Sequence, residues 1–189
     1  MATVWDQLEA ECLRIFSLPH NAIHLKAERA LTPAAAAKAT VEQVRSGLGG
    51  VARREEFVGP RLFLRVVGAA NRAFSGEWWF DADLLHRLDA AYARIYFEAA
   101  DKKRALRDML RELLAISTEW NEMTEVWALA LPPGARLVGY VGRGAPQRLF
   151  GNLPVSAAGN RMLVGQAEQI FFPPAHNPLW VTKYFGLTG

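Results

Sequence analysis

The stretch GQAEQIFFPP, residues 165–174, places Gln166, Glu168 and Gln169 at the mouth of a short apolar run that two prolines close. Entered from a glycine and ended by Pro173, residues 169–172 read as a strand, because proline has no N–H with which to continue a ladder. The neighbouring segments read the same way. Candidate strands cover 124–131 (TEVWALAL), 136–142 (RLVGYVG), 161–164 and 179–185, separated by Gly, Pro and Asn. Pro132-Pro133-Gly134 fits a turn between the first two.

Upstream the period changes from two to about 3.6. Trp5, Leu8, Cys12, Ile15 and Phe16 fall on one face of a helix over 3–17, which Pro19 ends. Thr32-Pro33 supplies an N-cap and a first-turn proline for a second helix to about Ser46, stopped by Gly47, Gly49 and Gly50. Residues 61–68 (RLFLRVVG) alternate, with Leu62, Leu64 and Val66 on one face and Phe63, Arg65 and Val67 on the other. After an irregular stretch through SGEWWF (75–80), Asp81 caps a helix to about Ala99 and Asp101 opens another bearing Leu106, Met109, Leu110, Leu113 and Leu114. Helices, a strand, helices and then a strand-rich third do not make a regular βαβ sheet. The order predicts an α+β fold with N-terminal helices and a mixed, mainly antiparallel β-rich core. The division expected is a helical arm over 1–57 and an α+β domain over 58–189.

Composition narrows the classes. With 51% hydrophobic and 22% charged residues the chain can form an ordinary core. A net charge of +3, with acids and bases interspersed, is too weak to imply nucleic acid. Cys12 is the one cysteine, so no disulfide within the chain and no cysteine metal site is expected. His20 and His24 stand four apart, but Pro19 and Asn21 beside them suggest a turn, and no metal is expected. No apolar run reaches about 18 residues, so no membrane partner is expected. The acidic start MATVWDQLEAE lacks a signal-peptide core, which predicts cytoplasmic synthesis and leaves export by a leaderless route open.

Four features carry chemistry. An arginine in an apolar strand is costly to bury without a partner. Arg65 therefore either holds an anion such as a pyrophosphate in its guanidinium fork or stands on an exposed or carboxylate-paired face. Adjacent Trp78 and Trp79 face opposite ways on an extended backbone. One can enter the core while the other reaches a cleft and stacks on a planar ring, or both are packing residues. Gly142-Arg143-Gly144, in GRGAPQ, reads either as a turn presenting backbone N–H groups to a phosphate or as an ordinary loop. Gln166, Glu168 and Gln169 are placed to bond sugar hydroxyls and to stabilise a cationic transition state, or to form a polar turn into an edge strand.

In order along the chain, an arginine on the first strand, an aromatic and serine segment, and a Gln/Glu motif entering a late strand resemble the Arg–Ser–Glu class of ADP-ribosyltransferases and the related NAD+ glycohydrolase toxins of bacteria. The resemblance covers roughly residues 61–185. It implies that NAD+ is bound as substrate, with Arg65 on its pyrophosphate, Trp78 or Trp79 on its nicotinamide, Ser75 bracing the site, Gln166 in the motif, and Glu168 or Gln169 on the ribose. Glu168 fits a QxE form and Gln169 a "Gln, three hydrophobics, Pro" form. One step along a strand reverses the face, so both stay candidates. No Ser-Thr-Ser stands on a second strand, where Ser75 or Ser117-Thr118 would have to substitute. The class also implies water, a protein or a nucleotide as acceptor, and a cognate inhibitor protein as partner. Two further readings stand beside it. One is a non-catalytic immunity or adaptor module anchored by exposed Trp78, Trp79 and Trp180. The other is a nucleic-acid binder using Arg53, Arg54, Arg61, Arg65, Arg72 and Arg143.

Overall fold

The computed structural model describes residues 2–18, 32–68, 78–86, 94, 97–119, 121–173 and 178–187. It is an α+β fold. Helices α1 (Val4–Phe16) and α2 (Pro33–Gly47) precede β1 (Arg53–Val58), β2 (Arg61–Val67) and β3 (Trp78–Asp81). Helices α3, described over Asp83–His86, and α4 (Lys102–Leu113) lead into β4 (Glu125–Leu131) and β5 (Arg136–Arg143). The two-residue strands β6 (Gln147–Arg148) and β7 (Met162–Leu163) pair with each other. Then β8 (Glu168–Phe171) and β9 (Val181–Gly186) complete the sheet. Among the described residues the main sheet has the order β1-β5-β8-β3-β2-β4-β9, every pairing antiparallel.

The helices begin where side-chain chemistry starts them. Thr3 and Asp6 form a reciprocal capping box on α1, the Thr32 hydroxyl accepts from the Ala35 amide, and Asp101 accepts from Arg104. Asp81, expected as a helix cap, is the last residue of β3. Its carboxylate still accepts from the Asp83 amide at 2.9 Å while pairing with Arg61. Residues 87–93, 95 and 96 of the helix expected to reach Ala99 lie outside the described residues, as do His20 and His24.

Both faces of the sheet are covered. Leu8, Cys12, Ile15, Phe16, Ala36, Ala37 and Val44 of α1 and α2 pack on Tyr140 and Phe171, over the β5–β8 half. Met109, Leu110, Leu113 and Leu114 of α4 pack on Leu64, Val66, Phe80, Val126 and Ala128, over the β2–β4 half. The opposite faces of the two halves close on each other through Phe57, Phe63, Trp79, Trp127, Ile170 and Phe172. There Phe57, Phe63 and Phe172 form a triangle of edge-to-face contacts, with centroids 5.0, 5.0 and 5.6 Å apart.

Two expectations change. The strand over 53–58 has no hydrophobic period, because Arg53, Arg54, Glu55 and Glu56 face solvent or charged partners on an edge: Arg136 bonds Glu56, and Arg53 bonds Glu168. Its residue Phe57 nevertheless sits in the core, so the boundary expected at 57/58 runs through β1. Gly142 and Arg143 are not a turn. They are the last residues of β5, paired with Gln169 and Glu168. Among the described residues no helix is long and apolar enough to cross a membrane.

Phe63→Ala removes one corner of the aromatic triangle and should lower the unfolding free energy by about 3–5 kcal/mol. Urea denaturation followed by tryptophan fluorescence measures it. A loss below about 1 kcal/mol would mean that the two half-sheets do not depend on this contact.

Candidate functional site

Strand β3 has four residues and divides them. Trp78 and Trp79 pair with Phe171 and Ile170 of β8, whereas Phe80 and Asp81 pair with Leu64 and Phe63 of β2. Each neighbour runs on past the half of β3 that it does not bond. Extending the registers sets Arg65 opposite Trp79 on one side and Gln169 opposite Phe80 on the other, with the ladder interrupted at both. The two backbones are thus at least two strand spacings apart, ~10 Å.

A cavity of about 590 Å³ lies across this interruption. Arg65, Trp78, Trp79 and Gln169 all line it. The C-terminal end of α2 contributes Ser46 and Gly47, and the segment that leaves α4 contributes Leu114, Ala115, Ile116, Glu119 and Asn121. The size is in the range of small-molecule sites. Its lining combines a cation, a carboxylate, amides and aromatic rings. Two helices end on it, and helix C-termini carry partial negative charge.

Each side chain has a local reason for its place. Trp79 is 1% exposed and belongs to the core between the half-sheets. Trp78, one residue earlier, turns the other way, packs edge-on to Phe171 at 5.4 Å, and meets α2 at Gly47. A Cβ at Gly47 would lie 2.8 Å from the Trp78 ring, so the helix ends in glycine where the indole seats. The Gly47 carbonyl accepts from the Ala145 amide at 2.7 Å, which ties the loop after β5 to α2.

Gln169 is anchored at its nitrogen. Its Nε2 donates to the Leu114 carbonyl at 2.7 Å, one of the carbonyls that α4 leaves without a helical partner. A carbonyl only accepts, so the amide nitrogen must face it and Oε1 points away. The segment that carries Leu114 is itself held. Arg111, 8% exposed, donates to the Ile116 carbonyl at 2.8 Å and the Asn121 carbonyl at 3.1 Å. Burial pushes its guanidinium below the ordinary value, with Arg107 adding to the effect and Asp108 opposing it. Asn121 donates to Val66 of β2 at 2.7 Å. Glu119 accepts from the Asn152 amide at 2.7 Å, joining the cavity wall to the 149–160 segment.

The remaining expected residues are placed elsewhere. Glu168 projects from the other face of β8 and accepts from Nη1 and Nη2 of Arg53, at 2.5 and 3.1 Å. That pairing raises the Arg53 guanidinium, burial opposing it. Gln166 is exposed and does not line the cavity, and Ser75 lies outside the described residues. The Ser117 and Thr118 hydroxyls donate to the Leu149 carbonyl. Among the described residues the serine that lines the cavity is Ser46, whose sequence context reads only as a helix end. Trp78, Trp79 and Trp180, the proposed exposed anchors, are half-buried, buried and half-buried, because Trp78 packs against the α1–α2 cluster, Trp79 lies in the core between the half-sheets and Trp180 packs against that core. Of the arginines offered for nucleic acid, Arg53 and Arg61 are in ion pairs, Arg65 lines the cavity, and Arg72 lies outside the described residues.

No family model and no curated protein matches the chain. It is similar to a chain in a solved structure of Tse6 in complex with Tsi6: 12% of the residues are identical, 97% of this chain and 98% of that chain are covered, and the TM-score is 0.35.

Gly144 approaches the Gln169 amide so closely that a Cβ there would lie 2.1 Å from Nε2. Gly144→Ala should therefore cost about 1–2 kcal/mol, most of it removed when Gln169→Ala is also present. A double-mutant cycle in urea measures the coupling. Equal costs in both backgrounds would show that Gly144 does not position the amide. Arg111→Met removes the donor from two part-buried carbonyls and should cost about 1–3 kcal/mol in the same assay.

Proposed function

We propose that the protein cleaves the nicotinamide–ribose bond of NAD+, with water as acceptor, in the manner of the ADP-ribosyltransferase and NAD+ glycohydrolase superfamily. The observation that carries the reading is that Arg65 and Gln169, 104 positions apart in the chain, flank the same strand and line one cavity with Trp78 and Trp79. The electrostatics suit a ligand that is anionic at one end and cationic at the other. Arg65 offers a guanidinium fork to a diphosphate. The C-terminal ends of α2 and α4 and the Gln169 Oε1 offer partial negative charge to a pyridinium ring.

In the proposed reaction Trp78 stacks on the nicotinamide and Oε1 of Gln169 accepts from a ribose hydroxyl. The C–N bond to nicotinamide lengthens until the sugar carries oxocarbenium character. Nicotinamide leaves with the bonding pair as a neutral molecule. Water adds to the anomeric carbon and its proton passes to solvent, giving ADP-ribose. An amide is not a base, so residue 169 cannot deprotonate a protein or nucleotide acceptor, which is why water is assigned that role. An activity of this kind depletes the producing cell, which makes an inhibitor protein the expected partner and a toxin or effector the expected biological class.

The test is release of nicotinamide from NAD+ by purified protein. Gln169→Ala should lower kcat roughly 10²–10³-fold, the scale of removing one preorganised polar group. Arg65→Ala should weaken NAD+ binding about 10- to 100-fold, the worth of a charge-assisted bond. Glu168→Gln should change neither by more than about twofold. Wild-type protein that neither releases nicotinamide nor binds NAD+ in calorimetry removes this reading.

A further inference from the structure

We propose that position 169 is built to take a neutral amide and to refuse a carboxylate, because the C-terminal end of α4 holds the Gln169 nitrogen and so aims its oxygen at the substrate sugar. The inference rests on the NAD+ reading for what lies beyond Oε1, and on geometry alone for the selection itself.

Three observations carry it. The first is the Leu114 carbonyl, 2.7 Å from Nε2. A glutamate in the same rotamer would set a carboxylate oxygen against that carbonyl, two acceptors with no proton between them. The second is the helix behind the carbonyl. Helix α4 runs from Lys102 to Leu113 with Leu114 as its C-cap, so its negative pole ends on residue 169. A carboxylate there meets the negative end of the Leu114 carbonyl head-on, whereas an amide lies along it with nitrogen toward the carbonyl and oxygen away. The third is the absence of a retreat. Gly144 closes over the amide nitrogen, and the Leu114 side is fixed by the Arg111 bonds to Ile116 and Asn121. Among the described residues no hydrogen-bond donor reaches Oε1, so the aligned dipole ends at the cavity.

The peptide carbonyl of Leu114 is thus a positioning group, and the helix supplies through a neutral relay the negative potential that a charged side chain would otherwise bring. Hydrogen bonds in series polarise one another, which strengthens the oxygen as an acceptor. Position 169 is therefore not a weakened glutamate site. Changing it toward the charged residue should harm it.

The test compares Gln169→Glu with the isosteric but apolar Gln169→Met at neutral pH. Gln169→Glu should lower Tm by about 4 °C or more, and further than Gln169→Met, which loses the bond but adds no repulsion. It should also lower kcat for NAD+ cleavage at least tenfold, with a smaller change in KM. In the wild type, a through-hydrogen-bond coupling between the Gln169 Nε2 and the Leu114 carbonyl carbon should be detectable by NMR. A Gln169→Glu protein as active as wild type, or within about 1 °C of its Tm, overturns the proposal. If the wild type proves inactive toward NAD+, the functional reading fails by itself. The Tm comparison and the NMR coupling then still decide whether the position selects an amide.

Discussion

A strand must satisfy its backbone donors and acceptors along its length, and four residues cannot do so for two neighbours that diverge. The structure turns on this limit at β3. Two of its residues serve β8 and two serve β2, so the sheet is held together at one narrow waist and opens to either side of it. The aromatic triangle on the far face draws the two halves together. On the near face helices cover each half separately. The cavity lies across the interruption beside β3, where Trp78 and Phe80 line it from the helix-covered face and Trp79 from the face of the aromatic triangle.

The ends of those helices then set its chemistry. Helix α2 brings Ser46 and Gly47, and α4 brings the Leu114 carbonyl. Side-chain amides do the tying: Asn121 binds the loop after α4 to β2, and Gln169 binds β8 to the end of α4. Arg65 stands on the β2 side of the waist, and on the other the segment after α4 is held by the buried Arg111.

Much of this architecture was legible in the sequence, and what was not has definite causes. Helices α2 and α4 carried their caps and apolar stripes openly, α1 its stripe, β2 its alternation, and β4 and β5 the Gly, Pro and Asn that bound them. Strand β1 was hidden because its edge position needs no apolar face on Arg53–Glu56, where cross-strand charges do the pairing. Strand β3 was hidden by its brevity, since four residues shared between two partners leave no period to read. Arg65, Trp78, Trp79 and Gln169 could be named because their residue types are conspicuous at their positions. The choice between Glu168 and Gln169 could not be made, because alternation says that they face opposite ways but not which way the helices lie. Ser46 gave no signal, since Arg45-Ser46-Gly47 reads as any helix end.

Helices α1 and α2 are bound into the rest of the chain by their contacts. Their helices cover Tyr140 and Phe171, and the Tyr140 hydroxyl meets Glu11 at 3.0 Å. Their last turn seats an indole and grips the loop that carries Ala145. A segment joined to the rest in this way is one wall of the cavity, so a change in the last turn of α2 is felt at β3 through Trp78 and at the end of β5 through Ala145.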